Sequence, residues 1–286
     1  MPELTVAFLG DVVGSPGREA ATHAARVLRA EQGVSLVIAN AENARHGSGL
    51  SADNYRALRR GSEVGRPGAP PAHAGIDAVT LGDHAFRERS IIPLLGDPTE
   101  PLLRPANLSA TAPGKPLIRL PIPAGPPLYV LTVLGRLFMP LPADSPFAAV
   151  DRLLAALPEP EALVIVEIHA EATSEKQAMA WHCLGRWGGP AGPRVVAVLG
   201  SHTHVQTADA RLLEHRLAAM TDLGMTGPHR GVIGRSAPAT LDAMVNQNPT
   251  PLDVASDDVR AQGCVLTLDP AGRRALGIRA VDMPVR

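Results

Sequence analysis

The 286-residue sequence is poor in several things, and each shortage excludes a class of function. It has two cysteines, Cys183 and Cys264, far apart and each in an apolar context (HCLGRW and GCVLTL). That is neither a disulfide framework nor a thiolate-rich structural zinc site. Both read as buried free thiols, and the chain fits a reducing compartment, the cytoplasm. Aromatic residues make up 3% of the chain, which leaves few platforms for stacked bases and argues against long single-stranded nucleic acid as a partner. The formal net charge is -1 with no long run of one sign, so bulk attraction to nucleic acid or a membrane surface is not expected. A small anionic ligand stays open, because a buried metal cluster supplies local positive charge that net charge does not register. No stretch approaches the roughly 20 apolar residues of a membrane span. The start, MPELTVAFLGD, lacks the basic region and long apolar core of a signal peptide. Lysine is scarce too: only Lys115 and Lys176 among 27 basic residues, which reads as a coding bias toward arginine.

Hydrophobic residues, at 45%, are plentiful enough for a sizeable core, and the absence of internal repeats or a clear linker favours one domain spanning residues 1–286. Near-continuous apolar runs at 4–9, 34–39, 76–81, 128–134, 163–168, 195–199, 217–221 and 264–268 read as strands buried on both faces. Helical patterns lie between several of them, at 18–32, 52–60, 147–157 and 174–187, with Ser51 and Thr173 as N-cap candidates. Strand–helix alternation early and strand-rich sequence late predict a layered α/β fold with mixed sheets. The Gly- and Pro-rich stretch 61–75 reads as a surface loop and 121–127 as a turn before a strand. The weakly periodic segment 235–260 reads as a cover or irregular surface.

The chemistry is carried by the residues at the ends of the apolar runs. Five runs stop at residues of metal-ligand type: Asp11, the pair Glu42–Asn43, Asp83–His84, His169, and His202-Thr203-His204. Carboxyl ends of strands in α/β sheets converge on one crevice, so residues distant in sequence can meet there. Carboxylates and neutral imidazoles suit Mn, Fe, Zn or Co, and a carboxylate can bridge two ions. Two ions about 3.5–4 Å apart can hold a bridging hydroxide and clamp both sides of an in-line phosphoryl displacement. Each piece alone has an ordinary reading: Gly-Asp at a strand end is a common turn, and His-x-His can be two satisfied histidines. The five ends together are what point to a site.

The order GDVVGSPGR, NAENARHGSGLS, TLGDHAF, HAEATSEKQA and GSHTHVQTAD resembles the calcineurin-like metallophosphoesterase superfamily. Within it the chain is similar to the bacterial branch of phosphodiesterases described as acting on 2′,3′-cyclic nucleotides. FMPLPADSPF (138–147) and TDLGMTGPHRGVIG (221–234) extend the similarity. The resemblance implies an α/β four-layer sandwich of two mixed β-sheets flanked by helices, with a dinuclear Fe or Mn centre. It implies that Asp11, Glu42, Asn43 and His204 hold one ion, while Glu42 (bridging), Asp83, His169 and His202 hold the other. His84 would touch the phosphoryl group, as transition-state stabiliser or as acid for the leaving oxygen; imidazole titrates in the right range for that. The expected activity is hydrolysis of small cyclic nucleotides, 2′,3′-cyclic and also 3′,5′-cyclic, by attack of a metal-bridging hydroxide. A phosphomonoesterase with the same centre, or a metal- and nucleotide-binding regulatory protein with little turnover, are the alternatives. The expected partner is a small phosphodiester, and a homo-oligomer is compatible with the sequence.

Two positions depart from the superfamily pattern. Val13 stands where the wider superfamily has a histidine, a change shared by the branch, whose Glu-Asn pair replaces it. Asp83 stands where the Gly-Asn-His motif has asparagine. A third carboxylate lowers the net charge of a two-ion centre from about +2 to about +1. That predicts tighter metal binding with weaker attraction for anionic substrate, or a preference for one trivalent ion. Other residues are weighed against plainer roles. Glu171 and Glu175 read as a solvated helix start; the alternative is that Glu171 or Thr173 orients His169. Gly47, Ser48 and Gly49 belong to a loop that either approaches substrate or simply precedes Ser51. Asn40 reads as structural. The loop Gly224, Met225, Thr226 and Gly227 lines the pocket by resemblance, with His229 a candidate phosphate or base contact. His23, His73, His182 and His215 read as surface or satisfied histidines.

Overall fold

A computed structural model of the chain describes residues 2–60, 75–122 and 125–285. Its first half runs β1 (Leu4–Leu9), β2 (Asp11–Val12), α1 (Gly14–Gln32), β3 (Leu36–Asn40), α2 (Ala52–Arg59), β4 (Ala78–Thr80), α3 (Ile92–Gly96), β5 (Leu117–Leu120), β6 (Leu128–Leu134) and α4 (Pro146–Ala155). The second half adds β7 (Leu163–His169), α5 (Thr173–Trp187), β8 (Arg194–Ser201), β9 (Arg211–Leu213), β10 (Leu217–Met220), β11 (Met225–Pro228), α6 (Ala237–Val245), β12 (Val259–Asp269) and β13 (Arg274–Pro284). The expected loop at 61–75 falls, but for Gly75, outside the described residues, as does His73.

One sheet has the order β2-β11-β12-β1-β3-β4, with β13 pairing antiparallel along β12; the other has the order β5-β6-β7-β8-β10-β9. β1, β3 and β4 are mutually parallel, as are β6, β7, β8 and β10, while β12, β5 and β9 pair antiparallel with their neighbours. The sheets are therefore mixed, as the sequence predicts.

Strand alternation explains the layers. Val6 and Phe8 of β1, Ile38 of β3, Val130 of β6, Ile165 of β7 and Leu266 of β12 meet in one apolar layer between the sheets. The intervening residues face outward: Ala7 and Leu9 pack under α1 and α2, and Val164, Val166 and Ile168 pack under α4 and α5. Both faces of the central strands are buried, so they read as unbroken apolar runs. In α1, Ala20, Ala21, Ala24, Ala25 and Leu28 form one buried stripe, and Gly33 ends the helix in the left-handed conformation (φ 64°). The Ser51 side chain accepts from Asn54 N at 3.2 Å and caps α2 as expected. Thr173 does not cap α5. It is the first helical residue, Ala172 occupies the cap position, and no side chain bonds there.

Five strands escape the sequence reading: β2, β5, β9, β11 and β13. The first four are two to four residues long. β13 has eleven residues, but much of its surface is exposed and it carries no apolar run. The segment 235–260 contains α6 and the first residues of β12, so it is not uniformly irregular. Among the described residues no helix is long and apolar enough to cross a membrane.

Candidate metal centre

Parallel pairing puts the carboxyl ends of β1, β3 and β4 at one edge of the first sheet and those of β6, β7 and β8 at one edge of the second. Asp11 lies just past β1, Glu42 and Asn43 follow β3, Asp83 and His84 follow β4, His169 ends β7, and His202 and His204 follow β8. The structure brings all eight together. His169 Nε2 lies 3.0 Å from Asp83 Oδ1, 3.1 Å from Glu42 Oε1 and 3.2 Å from His202 Nδ1. His204 Nε2 is 3.3 Å from Asn43 Nδ2 and 4.0 Å from Asp11 Oδ1. Three groups have donor atoms close enough to share an ion: Asp83–His169–His202, Asp11–Glu42–His169, and Glu42–Asp83–His84.

His84 is tied at two points. Its backbone N donates to Glu42 Oε2 at 2.9 Å, and its ring Nδ1 is 2.7 Å from Asn43 Oδ1. The other nitrogen, Nε2, has Asp83 Oδ2 3.9 Å away, and the ring is a quarter exposed. With His202, which is as exposed, it is the part of the cluster open to a ligand from outside.

Three features fit this donor set to metal ions. Asp11 Oδ1 is buried with no hydrogen-bond partner among the described residues, an arrangement that a cation would satisfy. Gly82 sits so close that a Cβ there would lie 2.3 Å from His169 Nε2 and 2.5 Å from Glu42 Oε2, so only glycine lets the donors converge. The charge balance also calls for a cation. Burial opposes ionisation of Glu42 and Asp83, yet the neighbouring imidazoles, His169 and His84 for both and His202 for Asp83, together outweigh it and hold both carboxyls below their usual range. Burial likewise opposes a charge on His169, but Glu42 and Asp83 raise it well above the ordinary imidazole value. A proton held by His169 against three carboxylates occupies the place where a metal would release it.

The residues that support this centre are mostly ones the sequence reading passed over. Beyond the inward-facing Ile38, Val130, Ile165 and Leu199, the next inward positions toward the carboxyl ends are Asn40, Thr132, Glu167 and Ser201, a buried polar layer that caps the apolar layer between the sheets. Glu167 Oε1 accepts from Asn40 Nδ2 (2.8 Å) and Ser201 Oγ (2.7 Å), and Oε2 accepts from Thr132 Oγ1 (2.7 Å). Burial raises the Glu167 carboxyl above its usual value, opposed by His169 and by these donors. Asn40 is structural, as read: its Oδ1 accepts from Glu42 N at 3.1 Å.

A second support lies under the His-x-His turn. Asp222 Oδ2 accepts from Lys176 Nζ (2.7 Å), Thr203 Oγ1 (2.7 Å) and Thr203 N (3.2 Å). The signals were a charged residue inside an apolar strand (VIVEI), one of two lysines in the chain, and an aspartate directly after a strand.

Several secondary expectations are corrected. Glu175 is not solvated; it is buried and accepts from Arg136 N at 3.0 and 2.9 Å. Half-exposed Glu171 lies near His202 Nε2 (3.4 Å) rather than behind His169. Gly47 faces Arg235, whose guanidinium donates to the carbonyls of His46 and Gly47, so that glycine serves a loop contact. For His229, ring Nδ1 is 3.0 Å from Gly227 O and the backbone N donates to Asp258 O, while Nε2 is buried with no hydrogen-bond partner among the described residues. His182 is satisfied by Asp151 at 3.0 Å, and Cys183 and Cys264 are buried free thiols.

Two mixed sheets flanked by helices, with these side chains gathered at their shared edge, define a protein of the metallophosphoesterase fold. Comparison with known proteins narrows the class. The family model described as YmdB-like protein matches residues 7–281, and the chain belongs to that family. It is 34% identical over 278 residues to the Bacillus subtilis (strain 168) protein named 2′,3′-cyclic-nucleotide 2′-phosphodiesterase, covering 97% of this chain and 96% of that one. Among solved structures it is similar to a hypothetical protein from Thermus thermophilus (TM-score 0.85, 36% identity, 99% of this chain and 100% of that one). A novel phosphatase from Mycoplasma pneumoniae matches with TM-score 0.85 and 26% identity, over 99% and 94% of the two chains.

Proposed function

We propose that this chain is a metal-dependent phosphodiesterase that hydrolyses small cyclic nucleotides, 2′,3′-cyclic and also 3′,5′-cyclic, at a two-ion centre. The observation that carries the reading is the convergence of Asp11, Glu42, Asn43, Asp83, His169, His202 and His204 from five strand ends. Similarity to a curated 2′,3′-cyclic-nucleotide phosphodiesterase over nearly the whole chain supports the substrate class.

Asp11, Glu42, Asn43 and His204 would hold one ion, and Glu42, Asp83, His169 and His202 the other. Such ions, when bound, supply Lewis-acid neutralisation of the phosphoryl oxygens and make water a nucleophile at neutral pH. The chain's own groups do the rest. His84 is fixed through Nδ1 on Asn43, which leaves Nε2 to bind a phosphoryl oxygen or to hand a proton to the departing ribose oxygen. His204 is oriented by its other nitrogen, Nδ1, 3.0 Å from Ile233 O. The His202 backbone N donates to Asp11 Oδ2 at 3.0 Å and locks the His-x-His turn to the opposite sheet.

The test is hydrolysis of 2′,3′-cyclic AMP by purified protein with Mn²⁺, beside His84→Ala and Asp11→Ala. His84→Ala should keep its metal and lose about 10²–10⁴-fold in turnover, while Asp11→Ala should lose metal as well. Two bound metals per chain with no diester turnover would sink the reading. Activity confined to nitrophenyl phosphate would replace it with a phosphomonoesterase. Asp83→Asn probes the extra carboxylate: metal affinity should fall while turnover of the loaded enzyme rises, and unchanged values of both would refute that role.

A further inference from the structure

Glu167 is buried between the sheets one strand alternation below His169, and nothing in the proposed chemistry uses it. We propose that Glu167, acting through the Ser201 hydroxyl, is a positioning residue that sets the ring orientation and tautomer of His169 for metal binding. The inference rests on the metal-dependent reading above.

The argument follows hydrogen-bond direction. Ser201 Oγ donates to Glu167 Oε1 at 2.7 Å, so the hydroxyl proton is committed to the carboxylate. What Ser201 then offers His169 Nδ1, 2.9 Å away, is a lone pair. Nδ1 must carry the ring proton to meet it, and a neutral imidazole has only one. In the neutral ring that metal binding requires, Nε2 keeps its lone pair facing Glu42, Asp83 and His202, where a ligand atom is needed. Asn40 Nδ2 also lies 3.4 Å from Nδ1, but its closer partner is Glu167 Oε1 at 2.8 Å, and Asp11 Oδ1, at 4.0 Å, is too far to accept. Asn40 and Thr132 hold the carboxylate in place as further donors, so Glu167 cannot turn away from Ser201. Metal-ligating histidines usually have their second nitrogen fixed this way, by a carboxylate or carbonyl. Here a serine extends the reach.

The test uses Co²⁺ as the probe, titrated into metal-free full-length protein, with affinity from chelator competition and geometry from the visible bands. Wild type, Ser201→Ala, Glu167→Met, Glu167→Gln and the Ser201→Ala/Glu167→Met double variant are compared. Ser201→Ala and Glu167→Met should each weaken one of the two bound ions by about 10–100-fold and alter its visible bands. Glu167→Gln keeps an acceptor for Ser201 and should restore near-wild-type binding. The double variant should be no worse than the weaker single one, because both act on one path. Wild-type affinity in Ser201→Ala, or equal losses in Glu167→Met and Glu167→Gln, would overturn the inference. Should Glu167→Met not fold, Ser201→Ala decides alone. A wild type that binds no Co²⁺ brings down the metal-dependent reading, whereas two ions bound equally well by wild type and Ser201→Ala brings down only this one.

Discussion

Two buried carboxylates stand behind the histidines of this centre, and they are supported in different ways. Asp222, under the His202–His204 turn, has a full cationic partner in Lys176, and both side chains are about 2% exposed. Glu167, behind His169, is surrounded by the neutral donors Asn40, Thr132 and Ser201. The backbone explains the contrast. His202 and His204 have φ of 99° and 65°, a region that non-glycine residues enter only under constraint, at roughly 1–3 kcal/mol each. The turn between them must be held against that tendency, and Asp222 does so by gripping Thr203 at both its amide and its hydroxyl. His169, by contrast, is the last residue of a strand paired on both sides up to its end. Its position comes from the sheet, and only its ring needs orienting. An ion pair stands where the backbone is strained, and hydrogen bonds suffice where it is not.

The contrast breaks most readily at Lys176. Lys176→Met keeps the volume and the α5 packing but leaves Asp222 charged, buried and without its cation. Breaking a buried pair from one side costs about 3–5 kcal/mol. Urea unfolding should show a loss of that order. Lys176→Met unfolding at the wild-type midpoint would mean that Asp222 is sustained by Thr203 and by Gly224 N, which donates to its Oδ1 at 2.8 Å, and the distinction between the two supports would disappear.

Thr132→Val is the matching change on the other side. It is nearly isosteric, suits a central strand, and removes the hydroxyl that donates to Glu167 Oε2. The carboxylate keeps its other donors, so the expected loss is about 1–3 kcal/mol, smaller than for Lys176→Met. Reversal of that order in parallel urea titrations would show that neutral donors carry more of the burden than the ion pair does.

How far this was legible in the sequence depends on burial. β1 and β6 match their apolar runs residue for residue, because strands covered on both faces must be largely apolar. β13 alternates between exposed and covered positions, and β11 is the four residues Met-Thr-Gly-Pro, so neither stands out. The ligands were legible because they are polar residues placed where an apolar run stops. Their supports were less so. Thr132 and Ser201 are small and unremarkable in a strand, and Glu175 looked like an ordinary helix-start acid until the backbone of Arg136 was seen to donate to it. Glu167 interrupts VIVEI, and a charge inside a doubly buried strand requires partners. That signal was available, but the partners come from three other strands, and only the fold brings them to it.

The smallest effect concerns a buried titratable group that the fold leaves neutral. Cys264 lies in the layer between the sheets, and burial pushes its thiol up to about 12 from 9.0. Burial raises the Glu167 carboxyl too, against the pull of its three donors; at Cys264 it holds the thiol in its protonated form. The folded state therefore binds its proton more tightly than the unfolded state. Its contribution to stability is complete below the unfolded value and declines as pH rises past it. By pH 10, one unit above 9.0, about 1 kcal/mol should be gone. Background titration of other groups cancels in the difference between wild type and Cys264→Ala. That difference, measured by urea unfolding at pH 8 and pH 10, should shrink by this amount. A constant difference would mean that the thiolate is tolerated in the folded protein, and that burial between these sheets suppresses charge less than the donors around Glu167 imply.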